Sequence, residues 1–175
     1  MRSKCVLICC ALAIAGVAGC ARPARSFLPR GSVLVLPPRD VIQDGKPHVK
    51  GADSGAALLQ DLIAGFESAG WTAMSTDNGK FSYLAIATEH DALAEAKRLN
   101  AHYVLQVVLG EFLDAAPMTF RSDFVTLQTA RLWNAESSEL IWALDTPVVY
   151  SGTNLGHYYR FLDKISDFIV RSITQ

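Results

Sequence analysis

The sequence predicts an α/β domain, a single sandwich of two or three layers with a mixed sheet and a C-terminal helix. In the first half of the chain, short apolar segments alternate with helical stripes, an order typical of parallel β-α-β units. In the second half, apolar β-branched segments are joined by a short link, which predicts an antiparallel meander. The C-terminal residues carry the clearest amphipathic helix in the chain.

The first predicted elements are a strand, a helix and a second strand. SVLVL at 32–36 predicts a short buried strand, which ends before two prolines because proline has no N–H to donate to a ladder. A polar loop follows, with a turn at residues 44–45. Apolar residues at helical spacing then predict a helix from a Ser54 cap until Gly70. Residues 71–75 predict the second strand.

The middle of the chain predicts a helix and a long strand. Residues 81–88 are either a short strand or irregular. A short helix is expected over Asp91–Leu99, with Glu95 and Lys97 facing outward. The segment Tyr103–Leu113 is almost continuously apolar and β-branched, which is typical of a strand buried on both faces.

The last part predicts a hairpin and a helix. Asp123–Asn134 and Leu140–Tyr150 are two strands, and the short link between them is of hairpin length. Apolar residues at helical spacing from Tyr158 to Ile173 predict the C-terminal helix.

The N-terminus has the features of a signal peptide. Arg2 and Lys4 precede an uncharged apolar stretch over residues 5–19. As a helix this stretch rises roughly 22 Å, which is short of the roughly 30 Å of a bilayer's hydrocarbon core. A signal-peptide apolar region explains it better than a membrane-spanning helix.

The apolar stretch ends in Val17-Ala18-Gly19-Cys20, which resembles the bacterial lipobox. The resemblance implies cleavage before Cys20 and acylation of its thiol and freed amine, which together make a permanent membrane anchor. The alternative is an ordinary secretory signal that contains a cysteine. Ala21 follows where an aspartate would favour retention in the inner membrane, so the outer membrane is expected, with inner-membrane anchoring left open.

Three segments follow from these features: a lipoprotein signal peptide over 1–19, a lipidated cysteine and flexible tether over 20–31, and a periplasmic α/β domain over 32–175. Without Arg2 and Lys4, 14 basic residues remain of the chain's 16, against 17 acidic ones, a net charge of −3. This balance gives no basic footprint for nucleic acid. All four cysteines lie within the first 20 residues, so the domain has no disulfide and no thiolate metal ligand.

Three segments of the domain resemble a group of periplasmic lipoproteins. They are VLVLPPRD at 33–40, the alanine-rich helix and apolar strand of Ala92–Phe112, and ARLWNAESSELIW at 130–142. The group includes the N-terminal domain of TolB, the curli export lipoprotein, the Pel polysaccharide export lipoprotein and uncharacterised lipoprotein families. Asn134 stands where those families have Asp, and Ser138 where they have Gly. The resemblance implies a fold, an envelope location and accessory or oligomeric roles, with no active site and no cofactor.

The sequence offers few candidate residues for partner contacts and no motif for catalysis or metal binding. Aromatic and apolar residues are enriched in interfaces, and the candidates of this type are Trp133, Trp142, Tyr158, Tyr159, Met118 and Phe120. The alternative for the aromatic ones is burial between sheet and helices. No nucleophile elbow, phosphate loop or metal-spaced histidine pair is present.

The sequence therefore predicts a non-enzymatic accessory lipoprotein that supports a cell-envelope assembly, with an envelope partner or further copies of itself. One alternative is binding of a small ligand or glycan in a pocket lined by Trp71, Trp133 or Trp142. The other is a weak hydrolase that uses Glu111, Asp114 or Asp123, which requires two of these carboxylates to face each other across a cleft.

Overall fold

The computed structural model describes residues 28–40, 42–43, 46–47, 53–76, 81, 87–113, 123–144, 146–152 and 155–175. Its elements, in chain order, are β1 (Ser32–Val35), β2 (Ile42–Gln43), β3 (Lys46–Pro47), α1 (Ser54–Ser68), β4 (Thr72–Met74), α2 (Glu89–Arg98), β5 (Tyr103–Leu113), β6 (Asp123–Asn134), β7 (Leu140–Leu144), β8 (Val148–Gly152) and α3 (Leu155–Thr174). The predicted α/β class with its C-terminal helix is confirmed.

The antiparallel pair of β5 and β6 forms the centre of one mixed sheet. At the end where β5 begins and β6 finishes, the strand order is β4-β1-β5-β6-β7. At the opposite end the order is β3-β2-β5-β6-β8. We call these the proximal and the distal end of the sheet. β1, β4 and β5 are parallel, whereas β6 runs antiparallel to β5 and to β7.

The sandwich has three layers because the two crossover helices lie on opposite faces of the sheet. The chain moves from β1 to β4 in one direction and then returns past β1 to β5. Since β-α-β crossovers are right-handed, this reversal places α1 and α2 on opposite faces. α3 packs beside α1. Of the two predicted alternatives, the structure has the one with three layers.

Alternation along the strands fills two hydrophobic cores. In β1, Val33 and Val35 face the core under α1 and α3, while Leu34 faces the core under α2. The first core is the larger and also takes Leu105, Leu109 and other residues of β5 and β6. The second core contains Ala92 and Ala96 of α2, whose small side chains let the helix lie close to the sheet.

Two irregularities change which side chains face the larger core. In β6, Gln128 is left without a partner in β5, because Thr129 pairs with Val108 and Leu127 with Leu109. Leu127 and Ala130 therefore both contact the larger core although they are an odd number of positions apart. A similar shift in β7 brings both Ile141 and Trp142 against the same core.

Both crossover helices end in the same hydrogen-bonded motif. After α1, the N–H of Gly70 donates to the carbonyl of Glu67, and the N–H of Trp71 to that of Phe66. Gly70 has a φ of 81°, which suits glycine. The Trp71 and Phe66 rings pack with centroids 5.6 Å apart, the hydrophobic contact that accompanies this motif. After α2, Asn100 takes the place of the glycine with a φ of 52°.

The start of α1 differs from the prediction. Ser54 is the first helical residue rather than the cap, and it is buried. The cap is Asp53, whose side chain makes no capping bond. The carboxylate of Asp40 instead accepts the N–H of Gly55 at 2.7 Å, across the loop after β1. A negative charge at a helix N-terminus also interacts favourably with the helix dipole.

The prediction that Glu95 faces outward is wrong. Its side chain is 7% exposed, whereas Lys97 is exposed as expected. The Thr76 hydroxyl donates to Oε1 of Glu95 at 2.6 Å. Arg98 adds two bonds to the same carboxylate, from Nε at 2.9 Å and Nη2 at 2.8 Å. These partners compensate for the desolvation that burial of a carboxylate costs.

Three further differences concern strands. The single strand expected over Leu140–Tyr150 is two strands, β7 and β8, which pair with successive halves of β6. The break includes Pro147, which lacks an N–H for the ladder. The loop expected after β1 contains the short antiparallel pair of β2 and β3 on either side of the predicted turn. Most of 81–88 lies outside the described residues.

Candidate functional site: the junction with the N-terminal segment

The best-defined polar site in the described residues is the junction where the chain enters the proximal end of the sheet. Leu28 already packs against the larger core. The carbonyl of Pro29 accepts the Tyr103 hydroxyl at 3.1 Å, and the carbonyl of Gly31 accepts the N–H of Thr72 at 3.1 Å. Residues 28–31, which the sequence assigned to the tether, therefore already contact the domain.

Tyr103 fixes the junction from inside the core. The residue is 5% exposed, and its ring lies 5.2 Å from that of Trp71. Burial raises the pKa of Tyr103 above its usual value, so the phenol stays protonated and remains a hydrogen-bond donor. The end of α1, the start of β5 and the entering chain therefore meet at one aromatic contact.

Gly31 lies close to the side chains of His102 and Tyr103. A β-carbon at this position would lie 3.2 Å from Cγ of His102 and 3.2 Å from Cε2 of Tyr103. These distances are shorter than ordinary van der Waals contact, so a larger residue would require the rings of His102 and Tyr103 to move by a few tenths of an ångström. The glycine avoids this adjustment.

Ser32 and His102 fasten β1 to β5 by reciprocal hydrogen bonds. The N–H of Ser32 donates to Nδ1 of His102 at 3.1 Å, and Oγ of Ser32 lies 2.7 Å from the same nitrogen. The N–H of His102 donates to Oγ of Ser32 at 3.1 Å and to its carbonyl at 3.0 Å. Because Nδ1 accepts a backbone N–H, the neutral ring carries its proton on Nε2.

The Ser32–His102 pair has the distance of a nucleophile and base, but its bonds give it a structural role. Oγ of Ser32 already accepts the backbone N–H of His102, and Nδ1 of His102 already accepts that of Ser32. A catalytic pair also needs a third group that orients the base, and no described residue is seen to bond Nε2. The arrangement fixes the position of the entering chain.

The residues predicted from the N-terminal motif, Val17, Ala18, Gly19 and Cys20, lie outside the described residues, as do Met118 and Phe120. Tyr158 and Tyr159 lie in α3, and their side chains fall outside what the structure describes.

The two tryptophans proposed as contacts differ in exposure. Trp133 is 2% exposed and fills the core under α2, so its side chain is not on the surface, in keeping with the alternative of burial. Trp142 is half-buried and packs against the larger core.

The groups named for the alternative functions are described only in part. Trp71 and Trp142 contact the core on one face of the sheet, whereas Trp133 contacts the core on the other face, so these rings do not line one pocket. Glu111 and Asp123 lie in β5 and β6, their side chains are not described, and Asp114 is outside the described residues. The described parts of the chain contain no acidic, histidine or cysteine cluster with metal-binding geometry.

The searched helices, those of the described residues, include none with the length and apolar character needed to cross a bilayer.

Sequence reasoning missed most of the junction. Nothing in the sequence around His102 indicated a structural bond, and Ser32 was expected only to begin a strand. Their pairing depends on β1 and β5 lying side by side, which joins residues 70 positions apart. The one usable signal was Gly31 before an apolar strand, since glycine there often marks a close approach.

Comparison with known proteins shows what this fold is similar to. No family model and no curated protein matches the chain. Among solved structures it is similar to the lipoprotein GNA1162 from Neisseria meningitidis, with 18% identity, a TM-score of 0.52, and coverage of 83% of this chain and 98% of that one. It is also similar to PelC from Paraburkholderia phytofirmans, solved as a dodecamer, with 15% identity, a TM-score of 0.50, and coverage of 81% and 91%.

At these identities the likeness establishes the fold alone. The resemblance to the Pel export lipoprotein that the sequence indicated is confirmed at this level.

Proposed function

We propose that the protein is a non-enzymatic accessory lipoprotein of the bacterial cell envelope, held at a membrane by lipid on Cys20 with its domain in the periplasm. Its role is that of a scaffold, regulator or oligomeric subunit of an envelope assembly or export system. The outer membrane is the proposed site of attachment, because Ala21 follows the cysteine.

The observation that carries the proposal is the small number of residues between the lipobox and the hydrogen-bonded junction at residues 28–32. Only seven residues, 21–27, separate Cys20 from Leu28, which packs against the larger core. The Ser32–His102 bonds and the Tyr103 hydroxyl then hold the entering chain against the sheet. A lipid on Cys20 would therefore keep the proximal end of the domain close to the bilayer.

Two further observations support an accessory role. The chain shares its fold with a protein described as a lipoprotein and with one that forms a dodecamer. The polar site in the described residues holds the backbone in place by hydrogen bonds. A scaffold or oligomeric subunit binds its partners through its surface, and a sheet with a packed core on each face can hold such a surface in place.

Incorporation of radioactive palmitate tests the anchor. The wild-type chain and Cys10→Ala are expected to be labelled and to sediment with membranes, because Cys10 lies in the removed segment. Cys20→Ala is expected to be unlabelled and to leave the membrane fraction. Recovery of the processed wild type as a water-soluble, unlabelled protein would contradict the proposal. Density-gradient separation of the two membranes tests the outer-membrane assignment on the same cells.

Native mass spectrometry of the detergent-extracted protein tests the accessory role. A homo-oligomer or a complex with another envelope protein is expected. A monomer that brings down no envelope protein after cross-linking in cells would contradict it. Hydrolysis of envelope substrates by the purified domain would contradict the non-enzymatic assignment independently.

A further inference from the structure

The junction contains a hydrogen-bond acceptor that a single proton removes. Nδ1 of His102 lies 3.1 Å from the backbone nitrogen of Ser32 and 2.7 Å from its Oγ. The unprotonated nitrogen of a neutral imidazole accepts hydrogen bonds, whereas both nitrogens of an imidazolium are donors. Imidazole is also the side chain that ordinarily changes its charge between pH 5 and 8. The bond from the Ser32 N–H to the ring therefore exists only while the ring is neutral.

The His102 ring is accessible to a proton from solvent, because the residue is exposed. Its nearest aromatic neighbour is Tyr103, with ring centroids 6.4 Å apart. Within the described parts of the chain, no charged group bonds the ring. The charged residues on the surrounding elements are Arg30 of the entering chain, Glu67 of α1, Glu95, Lys97 and Arg98 of α2, and Glu136 and Glu139 of the turn after β6.

Protonation of the ring exchanges one hydrogen bond for another. The Nδ1–H of the imidazolium can donate to Oγ of Ser32 across the same 2.7 Å, and the hydroxyl then turns to the carbonyl of Asn100, 3.4 Å away. The Ser32 N–H instead faces a second donor at 3.1 Å and loses its acceptor. Because one bond is gained for the one lost, we expect a local change at Ser32 with the rest of the fold preserved.

The chain before Ser32 is attached to the sheet by single contacts. Leu28 is half-buried against the larger core, the Tyr103 hydroxyl donates to the carbonyl of Pro29, and the N–H of Thr72 donates to the carbonyl of Gly31. Each of these is one contact from one residue, so none makes the others redundant. Loss of the adjacent Ser32 bond therefore weakens the attachment of residues 28–31.

We propose that the Ser32–His102 pair is a pH-sensitive clamp: the neutral ring holds the entering chain against the start of β5, and the imidazolium releases residues 28–31. The clamp itself does not depend on a lipid. One consequence rests on the proposed function. Release would lengthen the free chain after Cys20 from residues 21–27 to residues 21–31, which adds up to about 14 Å of reach at roughly 3.5 Å per residue.

Amide hydrogen exchange, followed by NMR on the detergent-extracted full-length protein, tests the clamp. After correction for the intrinsic pH dependence of exchange, protection of the Ser32 N–H is expected to fall about tenfold from pH 8 to pH 5, because loss of one hydrogen bond changes a local opening equilibrium by about this factor. The N–H of Leu36, which donates to the carbonyl of Leu105 at 3.0 Å in the same sheet, is the internal reference and should keep its protection.

Substitution of the ring identifies the group that responds. His102→Asn offers an amide oxygen near the position of Nδ1 that does not titrate, so Ser32 should stay protected at both pH values. His102→Ala removes the acceptor, so protection should be low at both. His90→Asn changes an exposed histidine of α2 and should respond as the wild type does. Equal Ser32 protection at pH 8 and pH 5 in the wild type, or a pH response that persists in His102→Ala, overturns the proposal.

Palmitate labelling of the same preparations separates the clamp from the anchor. A labelled protein whose Ser32 protection does not change with pH overturns the clamp and leaves the proposed function intact. An unlabelled protein that shows the pH response supports the clamp and contradicts the anchor.

Discussion

Gly65 marks the closest approach of α1 to α3, and its replacement by alanine tests how tightly these helices pack. An added β-carbon would lie 2.9 Å from Cγ2 of Val170. Val170 is 6% exposed, and as a β-branched residue in a helix it has one strongly preferred rotamer, so the methyl cannot rotate away. The helices must therefore separate slightly to accept the new methyl group.

Two opposing contributions decide the sign of the effect. Alanine is favoured over glycine inside a helix by about 1 kcal/mol. Overpacking a filled core costs about 1–3 kcal/mol. We expect Gly65→Ala to lower the free energy of unfolding by about 1 kcal/mol, because the contacted methyl at 2.9 Å belongs to a stiff, buried valine side chain that cannot rotate away.

Urea denaturation of the purified chain measures the effect as a shift of the midpoint at constant slope. Ala64→Gly is the matched control, since Ala64 is exposed in the same helix and reports the propensity contribution alone. In a Val170→Ala background the contact is removed, and Gly65→Ala should become stabilising by about 1 kcal/mol. If Gly65→Ala stabilises the wild type by as much as Ala64→Gly destabilises it, the inferred steric contact does not exist.

Three other predictions follow from single contacts. Gly70→Ala should destabilise the domain by about 1 kcal/mol because its φ is 81°, whereas Asn100→Gly at the equivalent position after α2 should be neutral or stabilising, both by urea denaturation. Asp40→Ala should cost about 1 kcal/mol by removing the acceptor for the first turn of α1, and Asp40→Asn, which keeps an acceptor, should cost less. Burial, and secondarily the charge of Asp163, raise the pKa of Asp61 above its ordinary value of 3.8. The folded state then holds this proton more tightly, so its contribution is stabilising in acid and is lost as the pH rises through the folded pKa. Asp61→Asn should therefore raise the melting temperature at pH 7, and the difference should vanish in acid; a constant difference at all pH values would contradict this.

Periodicity predicted the elements whose burial follows one simple pattern. Tyr103–Leu113 and Asp123–Asn134 have the bounds expected from the sequence, because each is a long apolar run between polar segments. The stripe that predicted α1 is the face that packs into the larger core. The secondary structure of such segments can be predicted without knowing which strands lie beside them, because nearly all of their side chains are apolar and become buried in any pairing.

The residues whose burial was predicted wrongly are those whose surroundings come from distant parts of the chain. Glu95 is charged and was expected in solvent, yet Thr76 from the end of β4 meets it inside the protein. The second core under α2 exists only because the strand order is β5-β1-β4 and the crossovers place the helices on opposite faces. No local pattern around α2 carries this information.

The turn between β6 and β7 shows how a family-like pattern can persist after its residues change. The Asn134 side-chain oxygen accepts the N–H groups of Glu136 at 2.9 Å and Ser137 at 3.0 Å, as an Asp carboxylate would. Ser138 has a φ of 60°, the conformation for which the resembling families have glycine. Asn134 therefore keeps the hydrogen-bond acceptor of the turn, and Ser138 adopts a backbone conformation that is less favourable for it than for glycine. The chain forms the turn between β6 and β7 despite both substitutions.

The rigid features of this domain are concentrated at its proximal end. The helix-ending motifs after α1 and α2, the side-chain-capped turn at Asn134 and the Ser32–His102 bonds all lie there. Each restricts the backbone by hydrogen bonds, so the entering chain and the edges of β4 and β7 are held in one fixed relation. Under the proposed function, a lipid on Cys20 would act on the domain through residues 28–31, which the Tyr103 hydroxyl and the Ser32–His102 bonds hold against this end of the sheet.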